Sequence, residues 1–263
     1  MTLVVFTFLS QMAIGAFAAL FFLDAFKEKV SKRSVFISLV AILLVSVVAV
    51  IVSVFHLGHP FAAYRALLNF GDSWLTREIV FFPTFMLFVF LYTLFAKSKT
   101  QKQLMGWITI ILGVVTIFST AMIYTIPSVP AWNNGTTVAA FFTTALLMGP
   151  VFIQLLVSIL EKRFIDFNLY TTIVAFVAIL LNVINLSILN GGLPTAVESA
   201  ALIVASPLFW VKIIALIAAF FITGNLLLKK RNLSLSTVSF IYACFLVSEF
   251  LGRMLFYSSG VHL

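Results

Sequence analysis

The chain has 263 residues, of which 63% are hydrophobic and only 9% charged, and its mean hydropathy is +1.20. A soluble globule carries roughly a quarter charged residues, so this composition excludes one and marks an integral membrane protein. The net charge of +8 does not point to nucleic acid, because the Lys and Arg residues stand in short clusters between apolar stretches, the pattern that encodes membrane topology.

Apolar stretches of about 20 residues predict an all-α integral membrane fold of eight transmembrane helices over residues 3–23, 35–55, 79–96, 104–124, 138–160, 169–189, 207–228 and 235–257. They form one membrane domain, 1–263, and a division into two four-helix groups is expected. The first stretch lacks a basic leader and is followed by Asp24 rather than a small-residue cleavage site, so it reads as a retained helix. Within it Gln11, Gly15, Ala16, Ala18 and Ala19 suit helix packing. The connections after the first, third, fifth and seventh helices carry Lys27, Lys29, Lys32 and Arg33; Lys97, Lys99 and Lys102; Lys162 and Arg163; and Lys229, Lys230 and Arg231. These are twelve of the sixteen basic residues, and they assign that side to the cytoplasm and both termini to the outside.

The second helix runs out into His56-Leu57-Gly58-His59-Pro60 and on to Tyr64-Arg65, and the third begins near Ser73-Trp74-Leu75-Thr76-Arg77-Glu78. Two imidazoles, two guanidinium groups and a carboxylate at the membrane surface are costly enough to be functional candidates. If the helix continues one turn past His56, both imidazoles share a face; the alternative is a pair of interfacial histidines bonded to loop carbonyls. Thr76 is the expected N-cap of the third helix, with Arg77 and Glu78 in its first turn, where Glu78 complements the helix dipole or exchanges protons. Arg65 and Arg77 suit a ligand headgroup or lipid phosphates.

Further along, Pro127, Pro130, Trp132, Asn134 and Gly135 mark a turn-rich loop, with Thr136 or Thr137 the expected N-cap of the fifth helix and Ser206 that of the seventh. Asn182 and Asn185 read as packing positions in the sixth helix, and a second loop, Asn190-Gly191-Gly192-Leu193-Pro194, leads to Glu198. In the last helix Glu249 and Arg253, four residues apart, are expected to form a structural ion pair. The thirty Phe residues are expected to face lipid. With one cysteine, Cys244, and His56 and His59 too close together to supply both axial ligands of one haem, no haem, metal site or disulfide is expected.

Several of these residues carry a family resemblance. His56-Leu57-Gly58-x-Pro60, Ser73-x-Leu75-x-x-Glu78-Ile79, Val129-Pro130-x-Trp132, Gly149-Pro150 and Glu249-x-Leu251-Gly252-Arg253-x-x-Phe256-Tyr257, with Ser10-Gln11 and Gly15, resemble in order and spacing the membrane anchor subunit of bacterial anaerobic dimethyl sulfoxide reductases. The resemblance implies a haem-free, eight-span, inner-membrane protein with both termini outside. It would oxidise menaquinol and hold an iron–sulfur subunit and a molybdenum catalytic subunit on its outer face, the metal cofactors lying only in those partners.

It further implies that His56 binds menaquinol and that Glu78 is an acidic position near it; His59 matches a position where the family admits other residues. Gln11, Arg65, Arg77 and Trp132 complete the candidate binding set. A proton-coupled relative, relaying through Glu198, Lys212, Glu249 and Arg253, is the first alternative, and a small-solute transporter, which would show polar groups near the midplane, is the second.

Overall fold

The computed structural model describes residues 1–27, 30–55, 70–229 and 233–263. Eight helices among them are long and apolar enough to span a bilayer: α1 Thr2–Phe22, α2 Lys32–Val54, α3 Trp74–Phe95, α4 Lys99–Tyr124, α5 Gly135–Glu161, α6 Asn168–Asn190, α8 Pro207–Lys229 and α9 Leu235–Ser258. A π-helical turn, Leu23–Lys27, extends α1. All eight expected spans are present, and α2 to α5 begin a few residues earlier than hydropathy suggests, because their polar first turns are fixed by capping. Ser31, Ser73, Ser98 and Ser234 each accept a backbone N–H three residues on, and Ser98 and Gln101 form a reciprocal capping box.

Capping also corrects three expectations. The N-cap of α3 is Ser73 rather than Thr76, so Glu78 lies beyond the first turn. Asn134, not Thr136 or Thr137, caps α5, its Oδ1 accepting from both of their backbone N–H groups. A twelve-residue helix, α7 Pro194–Ala205, occupies what reads in sequence as loop; proline at its first position, where no N–H is needed, starts it.

The burial of the spans shows which helices are central. Of the most apolar 18-residue stretches of α1 and α5, 72% and 67% respectively are buried within the protein, against 17% to 22% for those of α6, α8 and α9. The two central helices cross where Gly15 meets Gly149: a Cβ on either would fall on the backbone of the other helix. Such small-residue crossings are how helices gain close packing in lipid, where no hydrophobic force drives them together.

One apolar core fills the space among α1 to α5, and another lies among α1, α5, α6, α8 and α9. The two expected groups therefore share a wall rather than standing apart. Phe17, Phe21, Phe82, Phe85, Phe141 and Phe245 are fully buried in these cores, correcting the assignment of every Phe to lipid.

Contacts between helix ends define two poles. At the pole carrying most of the lysines and arginines, Lys102 Nζ lies 2.5 Å from Asp24 Oδ1, Tyr92 donates to Asp24 Oδ2 at 2.8 Å, and Glu161 accepts from the Ser31 N–H at 2.7 Å. At the opposite pole the C-terminal tail folds over the loops, Val261 N–H donating to Ser199 Oγ at 3.1 Å and Leu263 N–H to the Ser128 carbonyl at 3.0 Å.

Candidate functional site

His56, His59 and Arg65 lie outside the described residues. The polypeptide enters that segment after Phe55 and leaves it at Phe70, beyond the ends of α2 and α3 at the opposite pole. Beside it, Arg77 turns back rather than outward. Its Nε donates to the Phe70 carbonyl at 3.2 Å, its Nη2 to the Gly71 carbonyl, and its guanidinium covers the Trp74 ring at 4.2 Å. Arg77 thus holds the turn that leads into α3.

One residue on, Glu78 points into the protein and is only 6% exposed, about 6 Å along α3 at 1.5 Å per residue. The Thr120 hydroxyl of α4 stands 2.5 Å from its Oε1 and 3.0 Å from the Thr116 carbonyl. A hydroxyl has a single proton to give. Given to the carbonyl, it leaves Thr120 able to accept from a protonated Glu78; given to Glu78, it is accepted by a carboxylate or by the carbonyl oxygen of the neutral acid. The contact is compatible with Glu78 in either protonation state.

A second polar cluster lies across the α1–α5 wall. Gln11, Thr144 and Glu249 stand at similar depth, roughly 13 Å along their helices from the opposite pole. Arg253 Nη2 donates to Gln11 Oε1 at 2.6 Å and to Thr144 Oγ1 at 3.2 Å, and Thr144 in turn lies 2.7 Å from Glu249 Oε2. The Arg253 guanidinium also sits on the face of Phe141, 3.7 Å from the ring centroid. The expected direct ion pair between Glu249 and Arg253 is absent; a neutral hydroxyl bridges them. Lys212 of α8, likewise, donates to Asn182 Oδ1 at 2.6 Å. The direct ion pair among the described residues is Lys102 with Asp24.

Of these, Thr144, Asn182, Lys212, Glu249 and Arg253 line a cavity of about 120 Å³ between α5, α6, α8 and α9, which also reaches Trp132 and Ser259 near the opposite pole. Asn185 faces it and accepts from Thr136 at 2.6 Å. Glu198 does not belong to it: the residue is exposed on α7. Trp132 is committed to structure, its indole N–H donating to the Phe256 carbonyl at 2.8 Å and its ring stacked on Phe256. Among the described residues no group of three or more His, Cys, Asp and Glu is assembled that could hold a metal ion.

Of the candidates, then, the structure joins Gln11 to Arg253 and Glu249 and places Glu78 on Thr120. It turns Arg77 and Trp132 toward backbone carbonyls. Residues overlooked in the sequence are Thr120, Thr144 and Tyr124. The helical spacing of Thr116, Thr120 and Tyr124 in an apolar span was the available signal for two of them.

The sequence model of the family described as DMSO reductase anchor subunit (DmsC) matches residues 1–259. The anaerobic dimethyl sulfoxide reductase protein YnfH of Escherichia coli K12 is 30% identical over 280 residues, spanning 99% of the present sequence and 94% of that protein. The corresponding component of the Haemophilus influenzae anaerobic dimethyl sulfoxide reductase is 28% identical over 271 residues with the same coverage, 99% and 94%. A shorter match, 37% identical over 127 residues, joins 43% of the present sequence to 39% of a sulfite dehydrogenase component of Allochromatium vinosum.

Proposed function

Because the protein belongs to the DMSO reductase anchor subunit family, and so is a multi-pass membrane anchor of a reductase complex, we propose that it oxidises menaquinol and passes the electrons to an iron–sulfur partner subunit. The observation that carries the reading is Glu78, an ionisable side chain buried in a membrane helix and paired with a hydroxyl that serves either protonation state. A buried carboxyl of this kind is expensive unless it is used.

A quinol keeps its isoprenoid tail in lipid and presents its headgroup near the membrane surface. Oxidation releases two protons and two electrons. His56, whose ordinary pKa lies near operating pH, accepts a phenolic proton, and Glu78 relays protons away. His59 and Arg65 position the headgroup. Arg77 acts indirectly by holding the Phe70–Gly71 turn at the edge of that segment.

The electrons leave singly. With one cysteine and three histidines, the protein has no thiolate set for an iron–sulfur cluster, so the acceptor belongs to a partner, which in turn feeds a molybdenum subunit. The partner docks on the opposite pole, and the distribution of twelve of sixteen basic residues turns that pole outward from a bacterial inner membrane.

The test uses the intact complex. His56→Ala and Glu78→Gln should depress menaquinol-driven reduction, by about 100-fold for a lost general base, while an artificial donor feeding the partner subunits directly supports normal turnover. Normal quinol-linked rates in both variants would overturn the assignment.

A further inference from the structure

Three ionisable side chains, Lys212, Glu249 and Arg253, line the cavity between α5, α6, α8 and α9, and every other lining residue is neutral. Their charges do not balance. Glu249 and Arg253 offset one another across the Thr144 hydroxyl. Lys212, half-buried on α8, is left over: its Nζ donates to Asn182 Oδ1 at 2.6 Å, and the direct ion pair among the described residues lies elsewhere, between Lys102 and Asp24. A Cβ on Gly252 would stand 3.2 Å from Lys212 Nζ, so the ammonium lies against α9 within a turn of Glu249 without pairing with it. Two cations and one carboxylate leave the cavity with one positive charge in excess. A lone ammonium at membrane depth is costly, and the Asn182 amide supplies it with an acceptor but with no countercharge.

A second donor stands beside it. Asn185 lies one turn from Asn182 on the same face of α6 and also lines the cavity. Asn134 Oδ1 already accepts the N–H groups of Thr136 and Thr137, so the Thr136 hydroxyl gives its proton to Asn185 Oδ1, at 2.6 Å. That fixes the Asn185 carboxamide with Nδ2 turned away from Thr136, and among the described residues its hydrogens have no acceptor. Lys212 likewise has three ammonium hydrogens, of which Asn182 takes one. Lys212 and Asn185 each stand five residues from the end of their helix at the opposite pole, roughly 8 Å along it. Glu249 lies deeper, at roughly 13 Å, so an anion entering from that pole meets the two donors before the carboxylate.

The walls suit an ion rather than a lipid headgroup. Each of the four helices packs on its two neighbours around the cavity, while the end nearest the opposite pole reaches Trp132 and Ser259. A space of about 120 Å³, against roughly 10–15 Å³ for one water, holds a small ion together with part of its water shell.

We propose that this cavity binds a single small monovalent anion of the chloride class between Lys212 Nζ and Asn185 Nδ2, taken from the water at the opposite pole. One such ion neutralises the excess charge, and it joins α6 to α8 by a contact that neither helix makes alone. The proposal is independent of the quinol-oxidising reading, and its failure would leave that reading untouched.

The test uses the intact complex in detergent. Exchanging gluconate for chloride at fixed ionic strength should raise the unfolding temperature by roughly 2–4 °C. Lys212→Met, which removes the charge that the ion balances, should abolish this response and be at least as stable in gluconate as the wild type is. In crystals of the complex held in bromide, anomalous scattering should place an ion between Lys212 and Asn185. An equal chloride response in wild type and Lys212→Met, or bromide crystals without that peak, would overturn the site. A peak without a Lys212-dependent response would be binding at crystal concentration only, and would overturn it too. If Lys212→Met does not assemble, Asn185→Ala takes its place: a chloride response reduced severalfold is expected, and an undiminished one overturns the proposal.

Discussion

Glu249 and Arg253, one turn apart on α9, do not bond to each other: the Thr144 hydroxyl of α5 stands between them, 2.7 Å from the carboxyl and 3.2 Å from the guanidinium. The consequence is that a neutral side chain on a central helix sets the spacing of two ionisable side chains, Arg253 buried and Glu249 partly so. Thr144→Val, nearly isosteric, should leave both with an unsatisfied buried contact and lower stability by about 1–3 kcal/mol, read as a fall in the melting temperature of the purified complex. An unchanged melting temperature would show that the bridge contributes nothing.

Gly149 offers a packing test. A Cβ there falls on the Gly15 backbone, which cannot move without separating α1 from α5. Gly149→Ala should therefore reduce the yield of assembled complex, by overpacking worth about 1–3 kcal/mol or more. Gly71→Ala, where the new methyl meets nothing, should assemble normally. Equal yields from the two variants would contradict the crossing described above.

At the basic pole Asp24 serves both Lys102 and Tyr92, tying α1 to α4 and α3. Asp24→Ala strands a half-buried ammonium and a buried hydroxyl, and should cost about 3–5 kcal/mol if the pair behaves as buried. Replacing Lys102 with Met in the same protein should recover part of the loss, because no uncompensated charge then remains. Thermal unfolding of the single and double variants measures the coupling.

Topology is checked by reporter fusions. Both termini and the Trp132 loop should report outside, and Lys99 and Lys162 inside, since twelve of sixteen basic residues mark one side. A cytoplasmic C-terminus would reverse the docking face proposed for the partner.

Much of the molecule is legible from its residues alone. The eight spans and the family follow from apolar runs, basic clusters and ordered motifs, because burying backbone in lipid leaves helices as the available solution for such runs. The motif pieces are visible as well, Gly15, Gly149-Pro150, Trp132 and the Glu249-to-Tyr257 stretch, though not their mutual contacts.

What only the tertiary structure decided is which of these residues meet. Sequence spacing pairs Glu249 with Arg253 through helix geometry alone, but the partner that intervenes, Thr144, is 105 residues away. It likewise gives Glu78 a place at a helix end, whereas a cap at Ser73 and the packing of α4 bury it on Thr120. Hydropathy cannot tell a Phe facing lipid from one in the core, since both environments are apolar; Phe17 and Phe85 owe their burial to the α1–α5 crossing and the helices gathered around it. Local chemistry fixes helices and their ends, while the partners of polar groups inside a membrane depend on which helix faces which.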